Sequence, residues 1–260
     1  MKLDKQPLLD LAVLAGKAIL SVYNDQSRFG NVSYKEDDSP LTLADQLSHQ
    51  VIAEGLGKLY PEIPLLSEEG AHLPYESRKD WNYFWCVDPL DGTKEFINRN
   101  DEFTVNIALI HKDTPVFGLI YVPCQDLLYY GDAEGSFMQV PGSKAVSLHV
   151  DQDAQEWVAV GSRSHSDPSE RSYLSQFPVT SQSSAGSSLK FCLVAKGQAH
   201  IYYRKGPTME WDTAAGHAIA RYSGAIFSTP EGEPFLYNKE SLRNGSFVCR
   251  IATRGELVSQ

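Results

Sequence analysis

Apolar residues recur every three or four positions over 8–23 (Leu8, Leu11, Ala12, Ala15, Ile19, Val22), a spacing that gathers them on one face of a helix ending at Asn24-Asp25. A second helix is predicted over 43–60. Leu47, Val51, Ile52, Leu56 and Leu59 form its apolar face, with Thr42 as cap and Asp45 at the third helical position. Pro61 and Pro64 close it, and 64–67 reads as a short buried strand running into Glu68-Glu69-Gly70. The pattern then turns to β. Residues 81–87 are aromatic and β-branched, 103–110 and 116–122 are apolar runs joined by a turn at Asp113-Thr114-Pro115, and 127–130 and 135–140 extend the sheet. The N-terminal half, 1–150, thus reads as paired helices on a mainly antiparallel sheet.

In the C-terminal half, 151–260, short strands over 158–160, 199–203 and 225–227 alternate with helices over 168–176, 189–195 and 213–223, an α/β arrangement. The Ser- and Gly-rich run 179–188 reads as a loop near a site. A chain of 260 residues, 42% hydrophobic, can bury one full core, so a single compact domain of two layered halves is expected. Neither an apolar run near ~18 residues nor an export signal is read, which predicts a soluble, intracellular protein with no integral membrane segment. Cys86, Cys124, Cys192 and Cys249 are far apart and read as buried thiols. The formal charge of −10, without a basic block, argues against nucleic-acid binding. An acidic protein that handles an anionic substrate needs metal ions or a few placed Lys and Arg residues.

Four acidic stations carry the candidate chemistry: Asp45, Glu68-Glu69, Asp88 with Asp91, and Asp212. Each alone has a plain reading, as a first-turn acid, a solvated pair, a hairpin turn or a helix N-cap. Together they follow apolar strands and precede helices, where chain ends converge at one edge of a sheet. Hard oxygen ligands in that number suit Mg²⁺ or Mn²⁺. Pro89 restrains the backbone so that Asp88, Asp91 and an intervening carbonyl can face one ion. The Gly92 and Thr93 amides open a predicted helix over 93–97, where unpaired N–H groups receive phosphate. A haloacid-dehalogenase reading, with its Asp-x-Asp-Gly-Thr signature, is set aside because two residues separate the acids here. Residues three apart on a regular strand do not share a face.

The segments Leu41-Thr42-Leu43-Ala44-Asp45, Glu68-Glu69, Asp88-Pro89-Leu90-Asp91-Gly92-Thr93 and Trp211-Asp212-Thr213-Ala214-Ala215-Gly216 resemble the lithium-sensitive phosphatases of the inositol monophosphatase superfamily. Within it, the runs 88–97, 102–110, 162–165 and 186–195 are most similar to the 3′(2′),5′-bisphosphate nucleotidases. Thr93-Lys94-Glu95-Phe96 stands where inositol monophosphatases carry Thr-Thr-Asn-Phe. The resemblance implies an α-β-α-β-α layered sugar-phosphatase fold with the larger, antiparallel sheet in the N-terminal half. It implies Glu68, Asp88 and the Leu90 carbonyl on one Mg²⁺, and Asp88, Asp91 and Asp212 on a second, with a third, weaker ion near Glu68 and Mn²⁺ as a substitute. Thr93 and Asp45 would position and deprotonate the attacking water. Substrate contacts fall to Glu68, Leu90, Asp91, Gly92, Thr93 and Asp212, and in the second half to Ser162, His165, Ser188, Lys190 and Arg204. The implied reaction is hydrolysis of adenosine 3′,5′-bisphosphate, with its sulfated derivative as a second substrate, in sulfur assimilation. Action on inositol or fructose phosphates is the alternative. A cytoplasmic location is implied, with bacterial relatives described at the inner membrane face, for which this chain offers no basic amphipathic segment.

Overall fold

The computed structural model describes residues 3–29, 32–34, 40–71, 73–162, 168–253 and 256. Helix α1 (Lys5–Tyr23) and α2 (Gln26–Phe29) precede a two-stranded ribbon, β1 (Val32–Tyr34) with β2 (Pro40–Thr42). That ribbon feeds α3 (Leu43–Leu59). Seven strands then form the large sheet in sequence order: β3 (Leu65–Ser67), β4 (Tyr83–Asp91), β5 (Thr104–His111), β6 (Thr114–Val122), β7 (Leu127–Asp132), β8 (Gly135–Gln139) and β9 (Val146–Leu148). Only β3 and β4 run parallel within it; the other neighbours are antiparallel. Short helices α4 (Tyr75–Arg78) and α5 (Thr93–Ile97) flank β4.

The second, mixed sheet takes the order β11-β10-β12-β16-β14 from β10 (Trp157–Ser162), β11 (Val179–Ala185), β12 (Ile201–Arg204), β14 (Ile226–Ser228) and β16 (Phe247–Arg250). A small ribbon pairs β13 (Thr208–Met209) with β15 (Arg243–Asn244). Helices α6 (Pro168–Leu174), α7 (Leu189–Ala195) and α8 (Glu210–Tyr222) complete the chain. The expected α-β-α-β-α layering is present: α1 and α3, the large sheet, α7 with α8, the mixed sheet, then α6.

Alternation along the large sheet builds two cores. Trp85, Val87, Val105, Ile107 and Leu119 meet Leu8, Ala12, Ile52 and Leu56 of the paired helices. Phe84, Cys86, Ala108 and Ile120 face the other way, toward Ala214, Ala215 and Ile219 of α8. Helix α1 is long and apolar enough to cross a membrane by composition alone, yet its Leu8, Leu11, Ala12, Ala15 and Ile19 are buried in the first of these cores.

Helix α8 lies unusually close to the sheet because it and β6 present small residues to each other. A Cβ added at Gly118 would fall 2.2 Å from the Ala215 carbonyl oxygen and 2.8 Å from the Ala218 Cβ. Gly118→Ala is therefore expected to cost about 1–3 kcal/mol through overpacking, read as a lowered urea midpoint. An unchanged midpoint would contradict this contact.

Four expectations need correction. Of the four cysteines read as buried thiols, Cys86, Cys192 and Cys249 are buried but Cys124 is only half-buried. Of the run 179–188 read as a loop, Val179–Ala185 is the edge strand β11, parallel to β10 and with most of its side chains exposed, and only 186–188 form a turn beside the site. An edge strand wetted on both faces carries no apolar alternation. The turn before β6 is Lys112-Asp113, with Lys112 at φ 57°, and Thr114-Pro115 already belong to the strand. Strands β1, β2, β9, β13, β15 and β16 were not anticipated.

Candidate active site

Topology carries two of the acidic stations to one place. Because β3 pairs in parallel with β4, Ser67 opposite Val87, Glu68 stands beside Asp88 where β3 runs out. On its other side β4 continues past Asp88, which faces Asn106 of β5, to Asp91, which faces Thr104. Three steps on β4 match two on β5, so one residue of Pro89-Leu90 is absorbed in a bulge. The bulge returns Asp91 to the face that Asp88 occupies, which the parity of a regular strand would forbid. Gly92 then turns the chain with φ 91°, and α5 begins at Thr93. A Cβ at Gly92 would sit 3.2 Å from the Ser187 Cβ and 3.3 Å from the Glu102 carbonyl oxygen. Both the backbone angle and the close approach require glycine.

Asp45 serves as a helix cap and as a neighbour of Thr93 at once. Its Oδ2 accepts the Thr42 amide at 2.8 Å and the Thr42 hydroxyl at 2.5 Å, closing the capping box of α3. Its Oδ1 lies 3.3 Å from the Thr93 hydroxyl. Burial pushes the Asp45 carboxyl up to about 6 against the bonds from Thr42, with added repulsion from Glu69 and Glu68. Asp212 is the third residue of α8 and no N-cap; its Oδ2 accepts the Met209 amide at 2.7 Å. Asp88 accepts the Leu90 amide at 3.1 Å.

Asp88 is pushed well above the usual carboxylate range by burial and then by Glu68, Asp91 and Asp212. Asp212 is pushed up likewise, by burial and then by Asp91 and Glu68. Among the described residues no three or more His, Cys, Asp or Glu side chains are already gathered as a finished metal cage. Asp88, Asp91 and Asp212 each direct one oxygen to a protein donor. The donor set nevertheless fits a hard divalent cation: every atom is oxygen, and the repulsion that raises these carboxyls is what a cation relieves.

Asp91 and Asp212 also form part of the wall of a cavity of about 170 Å³, with Gly92, Ser162, Ser188, Lys190 and Arg204. Asp45, Glu68, Asp88, Leu90 and Thr93 lie outside that wall, with Leu90 and Thr93 next in the chain to Asp91 and Gly92, which are part of it. The Lys190 ammonium donates to the Ser187 carbonyl at 2.6 Å and the Ala185 carbonyl at 3.1 Å. Its burial lowers the ammonium to about 8, against the pull of Asp91. The Arg204 Nε is buried with no hydrogen-bond partner among the described residues. A second cavity of about 390 Å³ shares Ser162 and is bordered by Arg171, Gln182 and Tyr203. His165 lies outside the described residues. Lys94 and Glu95, used in the sequence only as a family marker, line the first cavity, and the buried Thr104 and Asn106 behind Asp91 were not expected at the site at all. Thr104 and Asn106 did leave a signal, as polar residues two apart inside an apolar strand.

Acidic side chains from the large sheet and from helices α3 and α8, beside a hollow that Lys190 and Arg204 help to line, mark a layered α+β phosphatase. The match to a family model makes that class specific: residues 4–256 fit the inositol monophosphatase family, and the chain belongs to it. It is 48% identical over 247 residues to the 3′(2′),5′-bisphosphate nucleotidase CysQ of Salmonella typhimurium, covering 95% of this chain and 99% of that protein. With the protein of the same name from Escherichia coli K12 it shares 47% identity over 93% of its own length and 97% of the relative's. Among solved structures, CysQ from Bacteroides thetaiotaomicron superposes with a TM-score of 0.84 at 40% identity, covering 96% of this chain and 98% of that one.

Proposed function

We propose that this chain hydrolyses adenosine 3′,5′-bisphosphate to AMP and phosphate with Mg²⁺ at the acidic cluster. We further propose that it accepts the sulfated nucleotide and serves sulfur assimilation in the cytoplasm. The observation that carries this reading is the placement of Asp91 and Asp212 in the same wall as Lys190 and Arg204. A metal-binding acidic floor thereby meets cations suited to a second phosphate, and the adjoining cavity offers room for a nucleoside. The nearly full-length similarity to CysQ proteins agrees with it.

Glu68, Asp88, Asp91, Asp212 and the Leu90 carbonyl would hold the ions. Bound there, divalent ions lower the pKa of the attacking water and offset charge on the leaving oxygen. The chain's own part is proton handling and orientation. Thr93 donates to Asp45, leaving its lone pairs to orient the water, and Asp45 takes the proton as the phosphorus–water bond forms. The bond from phosphorus to the 3′ oxygen breaks, and that oxygen takes a proton from a solvent water, while Asp45 returns its own proton to solvent. The Gly92 and Thr93 amides face the departing phosphate. Lys190, with two of its three N–H groups on carbonyls, and Arg204, together with Ser162 and His165, would hold the rest of the nucleotide; the Ser188 hydroxyl is instead taken up by Asp91.

The direct test is phosphate release in Mg²⁺ from adenosine 3′,5′-bisphosphate, inositol 1-phosphate and fructose 1,6-bisphosphate. We expect kcat/KM to be greatest for the nucleotide; a preference for either sugar phosphate would overturn the substrate assignment. Arg204→Ala should lower kcat/KM for the bisphosphate by roughly 10- to 150-fold, the worth of one charge-assisted contact. It should lower kcat/KM for a simple monophosphate far less, and equal losses on the two would remove Arg204 from substrate recognition.

A further inference from the structure

Thr104 and Asn106 are 0% and 1% exposed, on a strand whose neighbouring residues are Phe103, Val105 and Ile107. Polar groups buried in hydrocarbon are costly unless their bonds are made. Here the side-chain bonds lead to Asp91. The Asn106 Nδ2 lies 3.2 Å from Asp91 Oδ2 and 2.9 Å from Ser188 Oγ, while the Thr104 hydroxyl lies 2.9 Å from Asn106 Oδ1. A carboxylate can only accept, so the amide nitrogen must face Asp91 and the amide oxygen must take the Thr104 proton. Ser188 has one proton to give. Asp91 Oδ2 at 2.6 Å is a nearer and more negative acceptor than the Asp212 carbonyl at 3.0 Å. Asp91 Oδ2 thus receives two bonds, and the β4 bulge is what sets Asp91 opposite Thr104.

Ser188 arrives from the C-terminal half, at the N-cap of α7. The turn before it is held against the N-terminal half by the Gly186 amide, which donates to Glu102 Oε2 at 2.7 Å. A Cβ at Gly186 would meet the Glu95 Cγ at 2.7 Å, so the two halves are in close contact there.

We propose that Thr104, Asn106 and Ser188 form a positioning relay that orients the Asp91 carboxylate for metal binding and ties that orientation to docking of the Gly186–Ser188 turn. The proposal rests on the reading of Asp91 as a metal ligand. None of the three needs to touch substrate for this role; they act through Asp91. The hydroxyl of Ser188, expected from sequence to serve the nucleotide, is engaged by Asp91 first.

The test follows Mn²⁺ binding to purified wild type, Asn106→Ala and Thr104→Val through loss of the free-ion EPR signal, beside thermal midpoints and Mg²⁺ activation curves. Asn106→Ala should weaken Mn²⁺ binding about 10- to 100-fold, the loss of one bond to a charged group. Excess Mg²⁺ should restore most of kcat. Thr104→Val, nearly isosteric, should shift affinity the same way by about 3- to 10-fold and keeps the test open if Asn106→Ala fails to fold. Leu56→Ala, in the core beneath α1, should lower the thermal midpoint without changing Mn²⁺ affinity. Folded Asn106→Ala and Thr104→Val that bind Mn²⁺ as wild type does would overturn the relay. So would activity lost at every Mg²⁺ concentration with Mn²⁺ affinity intact. Failure of wild type itself to take up Mn²⁺ would instead remove the metal reading on which the relay stands.

Discussion

Asp88→Asn is expected to lower kcat by at least ~10³-fold, on the scale of one strong electrostatic element, while the protein stays folded. Asp88 lies at the centre of the cluster, repelled by Glu68, Asp91 and Asp212 and lifted by burial. A carboxyl whose folded pKa is raised resists ionisation in the native state. At neutral pH its charge therefore opposes folding, and the neutral amide resembles the form the fold prefers. The asparagine oxygen can still accept the Leu90 amide that Asp88 accepts. The variant should therefore match or exceed the wild-type thermal midpoint without metal, yet gain little stability from added Mg²⁺. Asp212→Asn should behave alike for the same reason. Purified, folded Asp88→Asn with near-normal phosphate release would remove this residue from the metal centre.

Asp45→Asn is expected to lower kcat by about 10²- to 10⁴-fold, the range for a positioned general base. The same side chain caps α3, so a second effect must be separated. The amide can still accept from the Thr42 backbone, and the cap is worth only about 1 kcal/mol, a small shift in thermal midpoint. Thr93→Val should reduce kcat comparably if the hydroxyl, 3.3 Å from Asp45, links it to the attacking water as proposed, whereas Thr93→Ser should retain much of it. The double variant should be scarcely worse than either single one if the pair acts as a unit. Single-turnover phosphate release measures all four. Asp45→Asn within tenfold of wild type would place the base elsewhere.

How much of this was legible depends on where each signal lay. The paired helices and the strands of the large sheet announce themselves through apolar spacing of 3.6 and long β-branched runs, because each buries at least one full face. The mixed sheet is shorter and its strands are split by loops, so β16, of four residues, passed unnoticed, and the exposed edge strand β11 looked like a loop. The acidic stations could be gathered only through motif resemblance and the rule that strand ends converge. Spacing alone misled at Asp88 and Asp91, since a bulge is decided by pairing with β5 and leaves no mark on the parity of β4. Lys190 could be placed beside the site from its motif, while its two bonds to the carbonyls of its own loop emerge only from the backbone path of 185–188.

Metal-dependent hydrolysis of a nucleotide bisphosphate is tested most directly by phosphate release from adenosine 3′,5′-bisphosphate by the purified chain, followed through addition of excess EDTA and then of excess Mg²⁺. Release should stop with the chelator and resume with Mg²⁺, yielding AMP and one phosphate per substrate. Ca²⁺ in place of Mg²⁺ should restore little, since its looser coordination at longer distances supports in-line attack poorly. Undiminished turnover in EDTA, or no turnover of the bisphosphate at any Mg²⁺ concentration, would contradict metal-dependent hydrolysis of this substrate.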